Sequence, residues 1–175
     1  MLKNSIFISL LALLFFSCSK DESNPYWGQT SVLKSGDPWS GQIKAAKSNF
    51  AGSKIEIIID NFDEQGKWIE TLGFYKIPTE VGRFKLVLTS NQPPDDSLSG
   101  ALYSNGYDDA LFNLYKIAEN DSTSYLEITD YNQDKAEIKG TFNMVLWRRK
   151  DLPGSLNAPD SIVFSDGAFH TRIND

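Results

Sequence analysis

"AEIKGTFNMVLW", residues 136–147, alternates. Ile138, Phe142, Met144 and Leu146 fall on one face, and Glu137, Lys139, Thr141 and Asn143 on the other. A period of two is the pattern of a strand with one dry face and one wet face, and it is incompatible with a helix over the same span. The same period recurs in "KIEIIID", where Ile55, Ile57 and Ile59 share a face, in "RFKLVLTS" with Phe84, Leu86 and Leu88, and in "YLEITDY" with Leu126 and Ile128. About nine such runs follow one another, near 40–48, 54–61, 67–77, 83–90, 100–104, 111–118, 124–130, 135–148 and 161–173.

Turn chemistry separates the runs. "DEQGK" at 63–67, "NG" at 105–106 and "YNQDK" at 131–135 suit hairpins. "NQPPDDSLSG" at 91–100 and "KDLPGSLNAP" at 150–159 are longer loops containing proline. The stretch "YDDALFNLYKIA", 107–118, is the one rival to a strand, since Leu111, Leu114, Tyr115 and Ala118 would share a helix face. The expected fold is all-β: an antiparallel β-sandwich or a barrel-like sheet of about nine strands.

The N-terminus carries an address. One lysine, Lys3, precedes a run from Ile6 to Phe16 that is apolar apart from Ser9. The run is too short to span a bilayer, which takes about 20 residues. It has the layout of a secretory signal. Phe15-Phe16-Ser17-Cys18 ends it, and Cys18 is the only cysteine. This stretch resembles the lipobox of bacterial lipoproteins, with Phe15 where leucine is commonest. The resemblance implies cleavage before Cys18 and diacylglyceryl transfer to its thiol. Two or three acyl chains then give stable anchoring, at about 0.8 kcal/mol per buried CH₂. Ser19-Lys20-Asp21-Glu22-Ser23 is similar to the export tag of Bacteroidota surface lipoproteins, which implies the outer face of the outer membrane. The chain is thus divided into a signal peptide (1–17), a lipidated cysteine with a flexible tether (18–36) and a single β domain (37–175). Fully extended, the tether would reach about 60 Å.

Composition excludes several functions. The formal charge is −6, and loss of Lys3 with the signal makes the mature chain one unit more acidic. That argues against a nucleic-acid partner, which needs a basic footprint. "WRRK", 147–150, is the one basic cluster and reads as the solvated end of a strand. With no second cysteine there is no internal disulfide, and with one histidine, His170, no site of His and Cys ligands. No Gly-x-Ser-x-Gly motif is present. No catalytic residue and no cofactor are assigned.

Weaker candidates remain. Asp60, Asp63 and Glu64 are the best group of calcium-type oxygens, without the spacing of an EF-hand loop. Glu56, Glu70, Glu127 and Glu137 are the carboxylates that an envelope hydrolase would draw on. Trp27, Trp68, Tyr103, Tyr107 and Trp147 are the aromatics for a glycan or peptide surface. Ser97, Ser122 and Ser161, in "DSL", "DST" and "DSI", resemble the acceptor triplet of O-glycosylation in Bacteroidota envelopes.

"PWSG" near residue 38, "ITDYNQDKAEIKGTF" and "DSIVFSDGAFHTRI" resemble framework motifs of uncharacterised Bacteroidota lipoproteins, over about residues 38–173. That resemblance implies the fold and the envelope setting and carries over no active residue. The expected function is an anchored, non-catalytic binding or scaffold module with a glycan or envelope-protein partner. The alternatives are a carboxylate hydrolase and a lipocalin-like carrier of an apolar ligand. Radiolabelled palmitate is expected to enter the wild-type protein and not Cys18→Ala; equal labelling of the two would remove the anchor.

Overall fold

A computed structural model describes residues 24–48, 54–87, 98–152, 154–155 and 157–174. The signal peptide, Cys18, the acidic run at 19–23 and Ser97 lie outside the described residues. Eleven strands follow in chain order: β1 (Gly28–Lys34), β2 (Asp37–Trp39), β3 (Gln42–Lys47), β4 (Lys54–Phe62), β5 (Trp68–Pro78), β6 (Gly82–Val87), β7 (Ser99–Tyr107), β8 (Ala110–Ile117), β9 (Tyr125–Asn132), β10 (Glu137–Arg148) and β11 (Ser161–Asn174). No helix occurs among the described residues, and 110–117 is a strand.

The strands close on themselves. β3, β4, β5, β7, β6, β9, β10 and β11 pair in that order, and β11 returns to β3, making a barrel of eight strands with β1, β2 and β8 added. Two of the pairings are parallel, against the antiparallel expectation: Ala45 of β3 lies opposite Ile173 of β11, and Leu86 of β6 opposite Ser99 of β7. The reason is closure and connection. Local hairpins give antiparallel neighbours, whereas strands brought together only by closing the ring, or through a connection as long as 88–98, are free to run parallel.

The additional strands fill places where neighbours diverge. β8 pairs along β7 and meets β10 at Leu146–Arg148, just past the Glu137–Asn143 stretch that β9 occupies. β1 takes the β11 edge over residues 164–171, and β3 joins that edge only at 173–174. The tether boundary is therefore corrected. Gly28–Lys34 is a sheet strand, and the folded domain begins ahead of residue 37. The strand was hidden because only Val32 of its seven residues is buried, so no alternation shows.

A second correction concerns Asn105-Gly106. These residues lie inside β7 at a register shift, and the turn to β8 is made by Asp108-Asp109, with Asp108 at φ 57°. Gly106 serves close approach: a Cβ there would stand 2.1 Å from the Ala110 carbonyl oxygen and 2.5 Å from the Trp68 ring.

The inward faces carry the residues that alternation selected. Ile55, Ile57, Ile59, Leu86, Leu126, Ile128, Ile138, Phe142, Met144 and Leu146 are all buried. Around the ring, β5 stands opposite β10, and β7 opposite β11. Yet Phe74 of β5 meets Phe142 of β10 at 5.0 Å between ring centroids, and Tyr103 of β7 meets Phe164 of β11 at 5.5 Å. Aromatic side chains thus touch across the full diameter and fill the centre of the barrel. Phe169 extends the stack beside Phe142.

The β1–β2 hairpin adds an interior polar contact. Its Trp39 packs edge-on against Phe164 at 5.6 Å and donates its indole N–H to Glu70 of β5. Lys34 Nζ lies 2.5 Å from Glu70 Oε1 and 3.4 Å from the Tyr103 hydroxyl. Truncating Phe142 to alanine opens a void at the crossing point, and urea denaturation is expected to show a loss of about 3–5 kcal/mol. A loss below about 1 kcal/mol would mean that the centre is not packed as described.

Candidate functional site

With its middle occupied, the barrel offers ligands its outside. A polar concavity lies on the outer face of β3 and β4 and runs to the β4–β5 turn. It encloses about 490 Å³ and is lined by Tyr26, Ser40, Gly41, Gln42, Asp60, Asn61, Phe62, Asp63, Glu64 and Gly66.

Alternation places its polar groups. Ile43 and Ala45 of β3, and Ile57 and Ile59 of β4, point inward, so Gln42, Lys44 and Asp60 point out. Asp60 is nevertheless only 7% exposed. Tyr26, from the segment ahead of β1, folds over it and donates its hydroxyl to Asp60 Oδ2 at 2.7 Å. Lys44 Nζ stands 3.0 Å from the same oxygen and donates to the Tyr26 hydroxyl at 3.1 Å. Thr71 donates its hydroxyl to Asp60 Oδ1 and receives the Trp68 indole N–H at 2.7 Å. One hydrogen-bonded network therefore joins β3, β4, β5 and the entering chain. Tyr26 also packs edge-on against Phe62 at 6.0 Å.

The electrostatics favour one protonation state for Tyr26 and Lys44 in this floor. Burial and then the Asp60 carboxylate hold the Tyr26 phenol above its ordinary range. Burial alone would lower Lys44, but its bonds to Asp60 and Tyr26 outweigh that and keep the ammonium charged to higher pH than usual. At neutral pH the phenol keeps its proton and the lysine its charge, which is the state a paired, satisfied cluster prefers.

Asp60, Asp63 and Glu64 do line one groove, as their closeness in sequence suggested. They do not form a calcium site. Asp60 spends both oxygens on Tyr26, Lys44 and Thr71, and Asp63 Oδ1 accepts the Gln65 and Lys67 amides at 2.9 and 2.8 Å to shape the turn. Among the described residues no three His, Cys, Asp or Glu side chains gather closely enough to hold a metal ion.

The four glutamates are scattered over different strands, each with its own partner. Glu56 accepts from Ser48 at 3.3 Å, Glu70 meets Lys34 and Trp39, Glu127 meets Arg83 at 2.5 Å, and Glu137 meets His170 and Arg172, each at 3.3 Å. The basic cluster is neutralised within its own loop: Arg148 and Lys150 pair with Asp160, and Arg149 with Asp151. Of the five aromatics, Tyr103 belongs to the core. Trp68 is tied to Thr71, Trp27 lies under the Arg172 guanidinium at 4.4 Å, and Tyr107 under Lys67 at 5.1 Å. Trp147 remains 49% exposed on β10. The sequence offers Pro25-Tyr26-Trp27 as a segment that docks on the domain, but gives Tyr26 no site role, because nothing near residue 26 reveals a partner 34 positions away.

Ser122 is exposed in the β8–β9 loop, and Ser161 is half-buried at the first position of β11. Beside Ser122, Asp121 accepts from the Thr123 amide and hydroxyl at 2.6 and 2.8 Å, and from the Ser124 amide at 3.2 Å and its hydroxyl. Burial raises the Asp121 carboxyl, but these bonds outweigh it and hold the group below the ordinary carboxylate range. A pKa lowered by folding contributes stability above the unfolded value, near about pH 4, and the contribution fades as pH falls through the folded value. Asp121→Ala is therefore expected to flatten the loss of stability in acid, read as urea midpoints against pH. An unchanged acid limb would contradict the assignment.

No family model matches the chain, and no curated protein or solved structure matches it.

Proposed function

We propose that this chain is an outer-membrane lipoprotein, anchored through Cys18, that acts as a non-catalytic binding module. Its ligand sits in the groove over β3 and β4. The observation that carries the reading is the network beneath the groove. Tyr26, Lys44, Asp60, Thr71 and Trp68 satisfy one another, so the floor is rigid before any ligand arrives. Above that floor stand the amides of Gln42 and Asn61, the hydroxyl of Ser40 and the carboxylates of Asp63 and Glu64, beside the rings of Tyr26 and Phe62. Flat groups that donate and accept side by side, next to an aromatic ring, suit sugar hydroxyls and the apolar face of a pyranose. A prearranged site also loses little entropy on binding. The proposed partner is accordingly a glycan.

Two features weigh against the alternatives. A hydrolase needs two carboxylates across a cleft at a working distance, whereas Glu56, Glu70, Glu127 and Glu137 each meet a separate partner. A lipocalin-like carrier would find support in the closed ring of strands, but its ligand would have to displace the Phe74–Phe142 and Tyr103–Phe164 contacts at the barrel centre.

The test is a glycan array probed with the detergent-solubilised mature lipoprotein. A specific glycan should bind, and Gln42→Ala with Asn61→Ala should weaken it at least tenfold, about 1.4 kcal/mol or more. Trp147→Ala, outside the groove, should leave binding intact. A blank array, or groove variants that bind like wild type, would defeat the reading.

A further inference from the structure

Sequence alone allowed a tether reaching to Gly36. The fold leaves a far shorter one. Pro25 accepts a hydrogen bond from Asn174 Nδ2 at 2.9 Å, and Tyr26 is bound to Asp60. The Trp27 amide donates to the Ile43 carbonyl at 2.9 Å, while the Trp27 carbonyl accepts from the Thr171 hydroxyl at 2.7 Å. The chain is thus fixed to β3, β4 and β11 from Pro25 onward. Between Cys18 and Asn24 there are six peptide steps, and at 3.3–3.6 Å each they reach about 20 Å at most, whatever their conformation. A domain of this length has a radius of gyration of about 15 Å, or roughly 38 Å across. The leash is shorter than the body it holds, so the body cannot turn its attachment side away.

We propose that the outer face of β3 and β4, including the groove, is apposed to the lipid surface. This rests on the reading of Cys18 as the lipidated residue. The covalent length fixes the choice of face, because Tyr26, two residues beyond Asn24, is itself part of the groove wall. On the opposite side of the ring, β9 faces away from the membrane. The two sides of the barrel therefore meet different surroundings: headgroups at β3–β4 and bulk solvent at β9.

Single labels test this, because acylation leaves Cys18 no free thiol. Glu64→Cys, at the exposed rim of the groove, and Thr129→Cys, on the exposed face of β9, are each labelled with a fluorophore. The acylated proteins are reconstituted into phosphatidylcholine vesicles carrying a nitroxide-headgroup quencher. The Glu64 label should be quenched several-fold more than the Thr129 label. Twenty Gly/Ser residues inserted after Ser23 should bring the two to similar values. Equal quenching without the insertion overturns the proposal, and a difference that survives the insertion overturns the leash as its cause. Protein that takes up no palmitate and stays in the aqueous phase overturns the anchor as well. Protein that is acylated and partitions, but shows equal quenching, overturns the orientation alone.

Discussion

β11 is the strand on which the rest depends. It is the longest, from Ser161 to Asn174, and both of its edges are used. β10 runs along one edge for most of its length, while β1 and then β3 share the other. Its inward residues, Ile162, Phe164, Phe169 and Thr171, are all buried. Without β11 the sheet has open edges at β3, β10 and β1. With it, no long strand edge on that side is left to pair with another chain, which is how barrels avoid the hazard of exposed edges. The tight fit is visible at Gly140 of β10, where any Cβ would press on the Phe169 ring at 2.6 Å and on the Glu127 carbonyl oxygen at 2.3 Å.

Closure then decides where chemistry can reside. An eight-stranded ring has an interior just wide enough for side chains to fill, and here aromatic rings do so from opposite walls. The interior polar groups are used up in holding the β1–β2 hairpin, through Lys34, Glu70, Trp39 and the Tyr103 hydroxyl. Burial, reinforced by Glu70, holds the Tyr103 phenol above its ordinary range, so the hydroxyl in this structural joint keeps its proton near neutrality. What the filled interior leaves open is the outer surface, and on β3–β4 that surface is stiffened by hydrogen bonds running from strand to strand. The same network that blunts Asp60 as a catalyst or a metal ligand makes it a good foundation.

Most of the fold could be read from the residues, for a definite reason. Strands such as 136–147 have one buried and one wet face, so the period of two is written into the side chains. It fails where burial is one-sided in a different sense: Gly28–Lys34 lies along the β11 edge with Val32 alone buried, and Asp37–Trp39 has too few residues to show a period. The Asn105-Gly106 pair misled because glycine has two uses, reversing the chain and admitting a close neighbour, and composition cannot tell them apart. Parallel pairing was invisible because it follows from closure and from a long connection, neither of which a local window contains. The groove was half legible. Asp60, Asp63 and Glu64 stood out as acidic neighbours, but the partners of Asp60 come from Tyr26, Lys44 and Thr71, on other segments.

The pairing of β1 with β11 also sets the order of events in the making of the protein. Thr171 reaches back 144 residues to the Trp27 carbonyl, and Thr30 reaches 138 forward to that of Ala168. Until the last dozen residues have left the ribosome, β1, β3 and β10 lack the edge that completes them. A chain still being synthesised cannot close its barrel. Once the C-terminal strand has been made, the missing edge is supplied and the ring shuts. Non-local closure of this kind slows folding, so the unclosed sheet persists longer than a local hairpin would.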